Sequence, residues 1–386
     1  MKCHYIYIVC ILLSSCYSSS TKDNKPTVTE TITIDPDRSE KQLDLSPLLE
    51  DSFEIIKLEM TDQSLIADID KIEISDDQIF ISDKTSSKIF AFDLSGKYLR
   101  TIGQKGSGPG EFSYLGDFNV NGNSIYVQDV YGRKYIVYAK DGHLLKEIPY
   151  KSHHLGLLSF DQILYYINNY FDSGTGYYNL YRADLTNGKT EGLLPFNKEL
   201  VDLYSRSALN HYASKYKENA LLIYPRNDTI YNVTKNKVTP FYILHFTKRT
   251  IPKDLKEEIY SSPIEKGYLS GVEYLQNSKD YLLGTYVDKK RFRYLLINKK
   301  TLEYKIGERL VINNLGGLMI HSYTTTSEDE LIVVISSSIL KGIWVSICRN
   351  NTFKNKADKE RLEKVISQLQ EEDNPVLIKF KIKAIL

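Results

Sequence analysis

Cysteine is scarce in this chain of 386 residues, and three of its four copies, Cys3, Cys10 and Cys16, fall within the first 16 positions. Only Cys348 remains for the rest, so no internal disulfide can staple a fold that must hold by strand pairing and core burial. Cys348 stands beside Trp344 and Ile347, a setting for a buried structural thiol rather than a nucleophile. An excess of one charge is missing too: 50 basic against 49 acidic side chains leave a formal charge of +1, which argues against an electrostatic nucleic-acid binder. No apolar run is long enough to span a bilayer as a helix. Ser-His-Asp and Cys-His sets, zinc-finger spacings and coiled-coil heptads are absent, and the paired carboxylates Asp76-Asp77, Glu257-Glu258 and Glu371-Glu372 read as solvated charge.

What the chain has is tyrosine, 30 copies, and a repeat. Residues 70 to 103 align without a gap onto residues 116 to 149 at a constant offset of 46. Ile79, Phe80, Ile81, Asp83, Lys88 and Gly96 thereby fall on Ile125, Tyr126, Val127, Asp129, Lys134 and Gly142. A self-match of this period marks propeller blades or solenoid units, because one unit cannot bury its own apolar face. Within the unit, four short alternating runs separated by turn residues predict an antiparallel four-stranded meander.

The second-strand run recurs at 162–168, 220–224, 281–286 and 330–336, giving six units and predicting an all-β, six-bladed β-propeller of four-stranded antiparallel blades. Segments 197–207 and 251–261 read as helices or loops intruding between blades. The last unit lacks a strand after its insertion, and FEIIKLE at 53–59 is a spare. Pairing it with VLIKFKIKAI at 376–385 would close the ring and remove open edges. VTETITID at 28–35 supplies a further edge strand without a fixed place. Residues 357–370 carry Leu362, Val365, Ile366 and Leu369 at helical spacing, a helical insert whose apolar stripe docks on the propeller or on a partner.

At the N-terminus, Met1-Lys2 precede an apolar run from Tyr5 to Leu13, the layout of a secretory signal. Leu13-Ser14-Ser15-Cys16 reads as a bacterial lipobox, with Cys16 the lipidated residue, residues 1–16 the signal peptide, 17–27 a flexible tether and 28–386 the propeller. The expected location is the bacterial cell envelope, lipid-anchored, on the periplasmic or cell-surface side.

GQKGSGPGEF at 103–112, PRNDTIYNV at 225–233 and EEDNPVLIKFKIK at 371–383 make the chain resemble the six-bladed β-propeller lipoproteins related to NHL-repeat proteins. The resemblance implies fold and export, and no shared catalytic motif. The glycine-rich run lacks the Gly-Lys-Ser/Thr of a phosphate cradle and a following helix, so it predicts an inter-blade turn.

Two kinds of site follow. His154, His211 and His321 stand at comparable distances before a second strand, as does His153 beside them, and the first strands of a propeller line its channel. Three imidazoles there would suit a divalent metal on the propeller axis, with Glu273 and Asp70 as ligands or second-sphere acceptors. The alternative is that channel positions are simply polar and wet. Tyrosines crowd the third and fourth units, and Tyr165, Tyr178 and Tyr212 are the candidates for glycan or peptide contact, against the plainer reading of blade packing. The sequence thus predicts a monomeric, lipid-anchored module binding a glycan, peptide or protein, not nucleic acid; the alternative is a metal-dependent lyase or hydrolase at the channel mouth.

Overall fold

The computed structural model describes residues 29–384 except 76, 152–153, 202–211, 225, 253–263 and 351–352. The chain forms an all-β propeller of small sheets around a central cavity. The first sheet comprises Lys71–Ile74, Gln78–Asp83, Lys88–Asp93 and Tyr98–Ile102. The second comprises Leu115–Asn121, Ser124–Asp129, Lys134–Ala139 and Leu144–Pro149. The third runs from Gly156–Phe160 to Thr190–Pro195, the fourth from Ala213–Tyr216 to Val238–Phe246, and the fifth from Val272–Asn277 to Tyr304–Gly307. The closing sheet orders Ser322–Thr325, Glu330–Ile335, Val376–Ile382 and Leu49–Lys57.

A further sheet of three strands, Leu318–Ile320, Leu310–Ile312 and Leu43–Asp44, brings the number of sheets with three or more strands to seven, which corrects the expected six. The count failed because these strands are two or three residues long and one is recruited from the N-terminal segment. No local alternation marks them. The small sheet lies on the flank between the fifth and closing sheets, whose first strands meet directly at the cavity.

Ring closure is as expected. Val376–Ile382 pairs antiparallel with Leu49–Lys57, placing Phe380 opposite Phe53 with ring centroids 5.6 Å apart. Glu30–Ile34 adds in parallel to Val238–Phe246 as a fifth strand and buries Ile32 and Ile34, while Ser39–Glu40 extends the fifth sheet in the same way. An N-terminal strap therefore covers two outer edges that would otherwise offer unpaired backbone groups.

The repeat has a physical basis. In the second strand of the first sheet, Ile79 to Asp83 are all buried because neighbouring sheets cover both faces. The outermost strand Leu144–Pro149 is exposed throughout most of its length. Asp83 and Asp129, one repeat apart, each fasten the turn after their strand to the segment entering the sheet. Asp83 accepts from Ala67 N at 2.8 Å and Ser86 N at 2.9 Å; Asp129 accepts from Ser113 Oγ at 2.8 Å and Gly132 N at 3.0 Å. Gly96, at φ 91°, occupies a turn where a Cβ would stand 2.3 Å from the Lys57 carbonyl oxygen. The run 103–112 folds as an inter-sheet ribbon, its Gly108 N–H donating to Glu111 at 2.8 Å.

The insert comprises two helices, α1 (Ser337–Asn350) and α2 (Lys356–Ser367). Leu340 and Ile347 of α1, with Leu362, Ile366 and Leu369, join the core of the closing and small sheets. The apolar stripe of 357–370 thus docks on its own propeller. Cys348 is a half-buried free thiol. Within 197–207 a short 3-10 helix, Lys198–Leu200, is seen; most of 197–207 and 251–261 lies outside the described residues, as do residues 1–28 with Cys16.

Candidate functional site

The central cavity encloses about 860 Å³. Its wall is supplied by the first strands of the first five sheets and the closing sheet. Alternation along each strand turns every second side chain inward, so the wall is a set of short polar columns.

Adjacent columns are fastened to one another. Lys71 Nζ donates to Glu73 at 3.0 Å, to Asp117 at 3.1 Å and to the Phe118 carbonyl at 2.6 Å, which uses all three of its N–H bonds. Burial alone would lower the Lys71 pKa, but Asp117 and Glu73 outweigh it and hold the ammonium well above its usual range. Glu73 also accepts from Asn119 Nδ2 at 2.8 Å and Val120 N at 2.6 Å. Asn119 in turn accepts from Ser159 N at 2.8 Å, and Asp117 from Leu157 N at 2.9 Å. Ser214 Oγ accepts from Asn277 N at 2.9 Å, and Gln276 from Thr325 N at 2.8 Å. A side chain of one first strand thereby satisfies a backbone N–H of the next, where no sheet hydrogen bond is available.

The third and fourth sheets are joined differently. Lys215 Nζ donates to the Ser159 carbonyl at 3.1 Å and lies 5.1 Å from the centre of the Phe160 ring. Its burial lowers its pKa, with Glu73 and Glu218 opposing. Lys217, two residues on and also lining the cavity, is exposed.

The expected histidine set is not brought together. His154 is 1% exposed and sits in an aromatic cluster between the second and third sheets, bonded through Nε2 to the Tyr135 hydroxyl and ringed by Tyr150 and Tyr166 at centroid distances of 4.4 and 4.7 Å. It lies just before the first strand, where the chain has not yet entered the wall, and so turns into the sheet interface. His321 does line the cavity, at an exposed position, and His211 and His153 lie outside the described residues. Asp70 lines the cavity and accepts from Lys84 N at 2.6 Å, its carboxyl raised by burial; Glu273, off the cavity wall, is raised by burial against Ser270 and Arg226. Among the described residues no three His, Cys, Asp or Glu side chains cluster closely enough to hold a metal.

Of the tyrosines, Tyr165 is buried and donates to the Thr234 carbonyl at 2.9 Å, and Tyr212 is buried in the same core. Tyr178 is half-buried, edge-on to Tyr181 at 5.8 Å. All three serve packing of the third and fourth sheets, away from the cavity. The aromatic side chains that do line it are Tyr274, Phe292, Tyr294 and Tyr323, from the fifth and closing sheets. Sequence reasoning missed these and the lysines. The repeat offset did carry one signal, since it places Lys71 on Asp117, a complementary pair at one register of two neighbouring units.

Among the described residues no helix is long and apolar enough to cross a membrane. No curated protein matches the chain. A solved structure from Bacteroides fragilis, provisionally named an exported protein, is similar over 92% of this chain and 100% of its own, with a TM-score of 0.73 and 20% identity. A member of the DUF4221 family from Bacteroides vulgatus is similar over 88% of this chain and 98% of its own, with a TM-score of 0.51 and 10% identity. At these identities the likeness is one of fold. The model of a domain of unknown function, DUF4934, matches residues 29–381, and the chain belongs to that family.

Proposed function

We propose that this protein is an extracytoplasmic, lipid-anchored binding module that takes a small ligand in its central cavity. The carrying observation is the cavity itself: about 860 Å³ falls within the roughly 300–1,000 Å³ range of small-molecule sites. Its wall combines apolar and aromatic surface with polar groups on rigid strands, the usual composition of such sites. Export is supported by the signal-like N-terminus with its Leu13–Cys16 tetrad and by the fold shared with a protein provisionally named as exported. A glycan end or a short peptide end would also fit this volume. For the metal-dependent reading, the placement of His154 removes one of the three imidazoles and no other observation favours it.

The test is a cavity-filling variant. Thr324 is half-buried on the wall, and Thr324→Trp would occupy space that the ligand needs. Protein lacking residues 1–16 is equilibrated with a small-molecule extract of a cell envelope, re-isolated, denatured, and its released compounds identified by mass spectrometry. Compounds enriched by the wild type and lost in the variant support the reading; equal recovery from both refutes it. Lipidation is checked separately by palmitate labelling of the full chain, which Cys16→Ala should abolish.

A further inference from the structure

The turn after the second strand takes the same form in the first two sheets. Ser87 and Arg133, one repeat apart, hold the same left-handed backbone, with φ of 53° and 51°, and Asp83 and Asp129 fasten the two turns alike. Yet the first turn carries Thr85 where the second carries Tyr131, and Ser87 where the second carries Arg133. Threonine and serine satisfy the turn, so the fold asks for neither the ring nor the guanidinium. Tyr131 is 72% exposed and lies against Tyr114, 42% exposed, with ring centroids 4.9 Å apart and planes inclined by 36°. The backbone of Tyr114 is tied to the same turn, its N–H donating to Asp129 at 3.2 Å and its carbonyl accepting from Val130 N at 3.0 Å. Two open rings are thereby held in fixed relation, a platform with an uncovered apolar face.

A recess of about 360 Å³ opens beside this platform, where the second and third sheets adjoin. Val130 and Arg133, which bracket Tyr131 in the turn, line it together with Tyr150, Lys151, Asp172 and Ser173. Two of these are consumed by the fold, since the Tyr150 hydroxyl donates to the Asp129 carbonyl at 2.9 Å and Ser173 Oγ to the Gly176 carbonyl at 2.8 Å. Arg133 and Lys151 are exposed, and among the described residues neither side chain has an ion pair or hydrogen bond. Asp172, exposed as well, spends one oxygen on Gly174 N at 2.8 Å. Two cations against one carboxylate make the recess basic in a chain whose formal charge is only +1. Among the described residues Val130 is its one aliphatic side chain, so it offers little to the buried apolar anchor on which a protein partner would depend.

We infer that this turn and recess form a second binding site, separate from the central cavity, for an acidic oligosaccharide: one sugar ring lies on Tyr131, a uronate carboxylate is received by Arg133 and Lys151, and hydroxyls reach Asp172. A pyranose shows a C–H face to an aromatic ring and hydroxyls at its edge, which matches an open ring with polar groups around it. The Arg133 fork suits a carboxylate bidentately, and Lys151 adds a rotatable second charge. Tyr131 and Arg133 are two residues apart, so their Cα atoms are at most about 7.5 Å from one another. A disaccharide covers that reach, and a longer chain continues over the recess.

The test is isothermal titration with three acidic hexamers, from polygalacturonate, alginate and hyaluronan, each beside its carboxyl methyl ester. At least one acid should bind, about tenfold or more tightly than its ester, as expected for a charge-assisted contact. Arg133→Ser/Lys151→Gln should remove that preference. Tyr131→Thr, which installs the residue of the matched first turn, should weaken binding of the same hexamer about tenfold or more, whereas Tyr131→Phe keeps the ring and should retain it, which separates loss of the platform from loss of the turn. Binding of no hexamer, an ester as tight as its acid, an acid preference that survives the double variant, or binding indifferent to Tyr131→Thr would overturn the inference. Thr324→Trp locates the ligand: this cavity variant should leave hexamer binding unchanged, and loss of binding in it would put the sugar in the central cavity and remove the second site.

Discussion

Replacing Lys71 by methionine should be among the most damaging single changes to the cavity wall. The Lys71 side chain is 20% exposed, that of Glu73 17% and that of Asp117 6%, so all three charges stand largely out of water. Methionine keeps the length of the side chain and removes the charge. Two carboxylates would then face one another across the first and second sheets, with the Phe118 carbonyl losing its donor as well. Removing one partner of a buried ion pair costs about 3–5 kcal/mol. For roughly 350 ordered residues the unfolding entropy is about 0.75 kcal/mol per kelvin, so the melting temperature should fall by about 4–7 °C.

The assay is thermal and urea unfolding of wild type and Lys71→Met at pH 7. The folded-state pKa of Lys71 is raised above its unfolded value, so its contribution is complete below the unfolded pKa near 10.5 and fades only as pH climbs toward the folded one. Between pH 6 and 9 it should therefore be constant on this account. The triple variant Lys71→Met/Glu73→Gln/Asp117→Asn removes all the charges while keeping amide oxygens for Val120 N and Leu157 N, and it should recover most of the loss. A Lys71→Met protein within about 1 kcal/mol of wild type, the range of a surface ion pair, would refute the view that this cluster locks the first two sheets together.

Two further perturbations read other parts of the ring. Asn374 is buried beside the closing strand, where its Oδ1 accepts from Ile66 N at 2.9 Å and its Nδ2 donates to the carbonyls of Glu59 at 2.9 Å and Ser64 at 2.7 Å. Asn374→Ala strands the buried Ile66 N–H and Ser64 carbonyl, while the Glu59 carbonyl keeps the Ser64 hydroxyl at 2.8 Å, and should cost about 2 kcal/mol or more in urea unfolding; a loss below about 1 kcal/mol would mean that closure does not depend on it. Lys299 donates to Asn277 at 3.0 Å and the Ser278 carbonyl at 2.7 Å, and burial pushes its pKa down to about 8 against the pull of Asp280 and Asp329. Between pH 8 and 10 the unfolded chain then holds more protons than the folded one, so stability should rise with pH in that window. Lys299→Met should flatten the rise, and identical pH profiles of the melting temperature would refute it.

Much of this architecture was legible because it rests on local pattern. The matched Asp83 and Asp129 mark a fastening that each unit must make, and the incomplete last unit required a partner strand that Leu49–Lys57 provides. Features made by distant pairing were not legible. Leu43–Asp44 joins Leu310–Val311 across 267 positions with strands too short to alternate, and the small sheet went uncounted. His154 shows the other limit: its distance from the second strand was right for the wall, yet it precedes the first strand and turns into a tyrosine cluster instead. The cavity aromatics were hidden for a related reason. Phe292 and Tyr294 lie on a third strand, which in the other units does not reach the cavity.

The wall of the cavity separates two uses of polarity. Glu73, Asn119, Ser214 and Gln276 each point at a backbone N–H of the neighbouring sheet, and their hydrogen bonds are consumed in holding the ring. Groups so engaged are poor candidates for ligand contact, because a ligand would have to replace a bond that the fold needs. Lys215 breaks that pattern: it reaches a carbonyl rather than an N–H, and it keeps donors in reserve. Phe292, 61% exposed on the cavity wall, is uncommitted as well. If function resides where side chains are not committed to assembly, relatives that share the fold but differ at Lys215 and Phe292 should share the ring and differ in ligand.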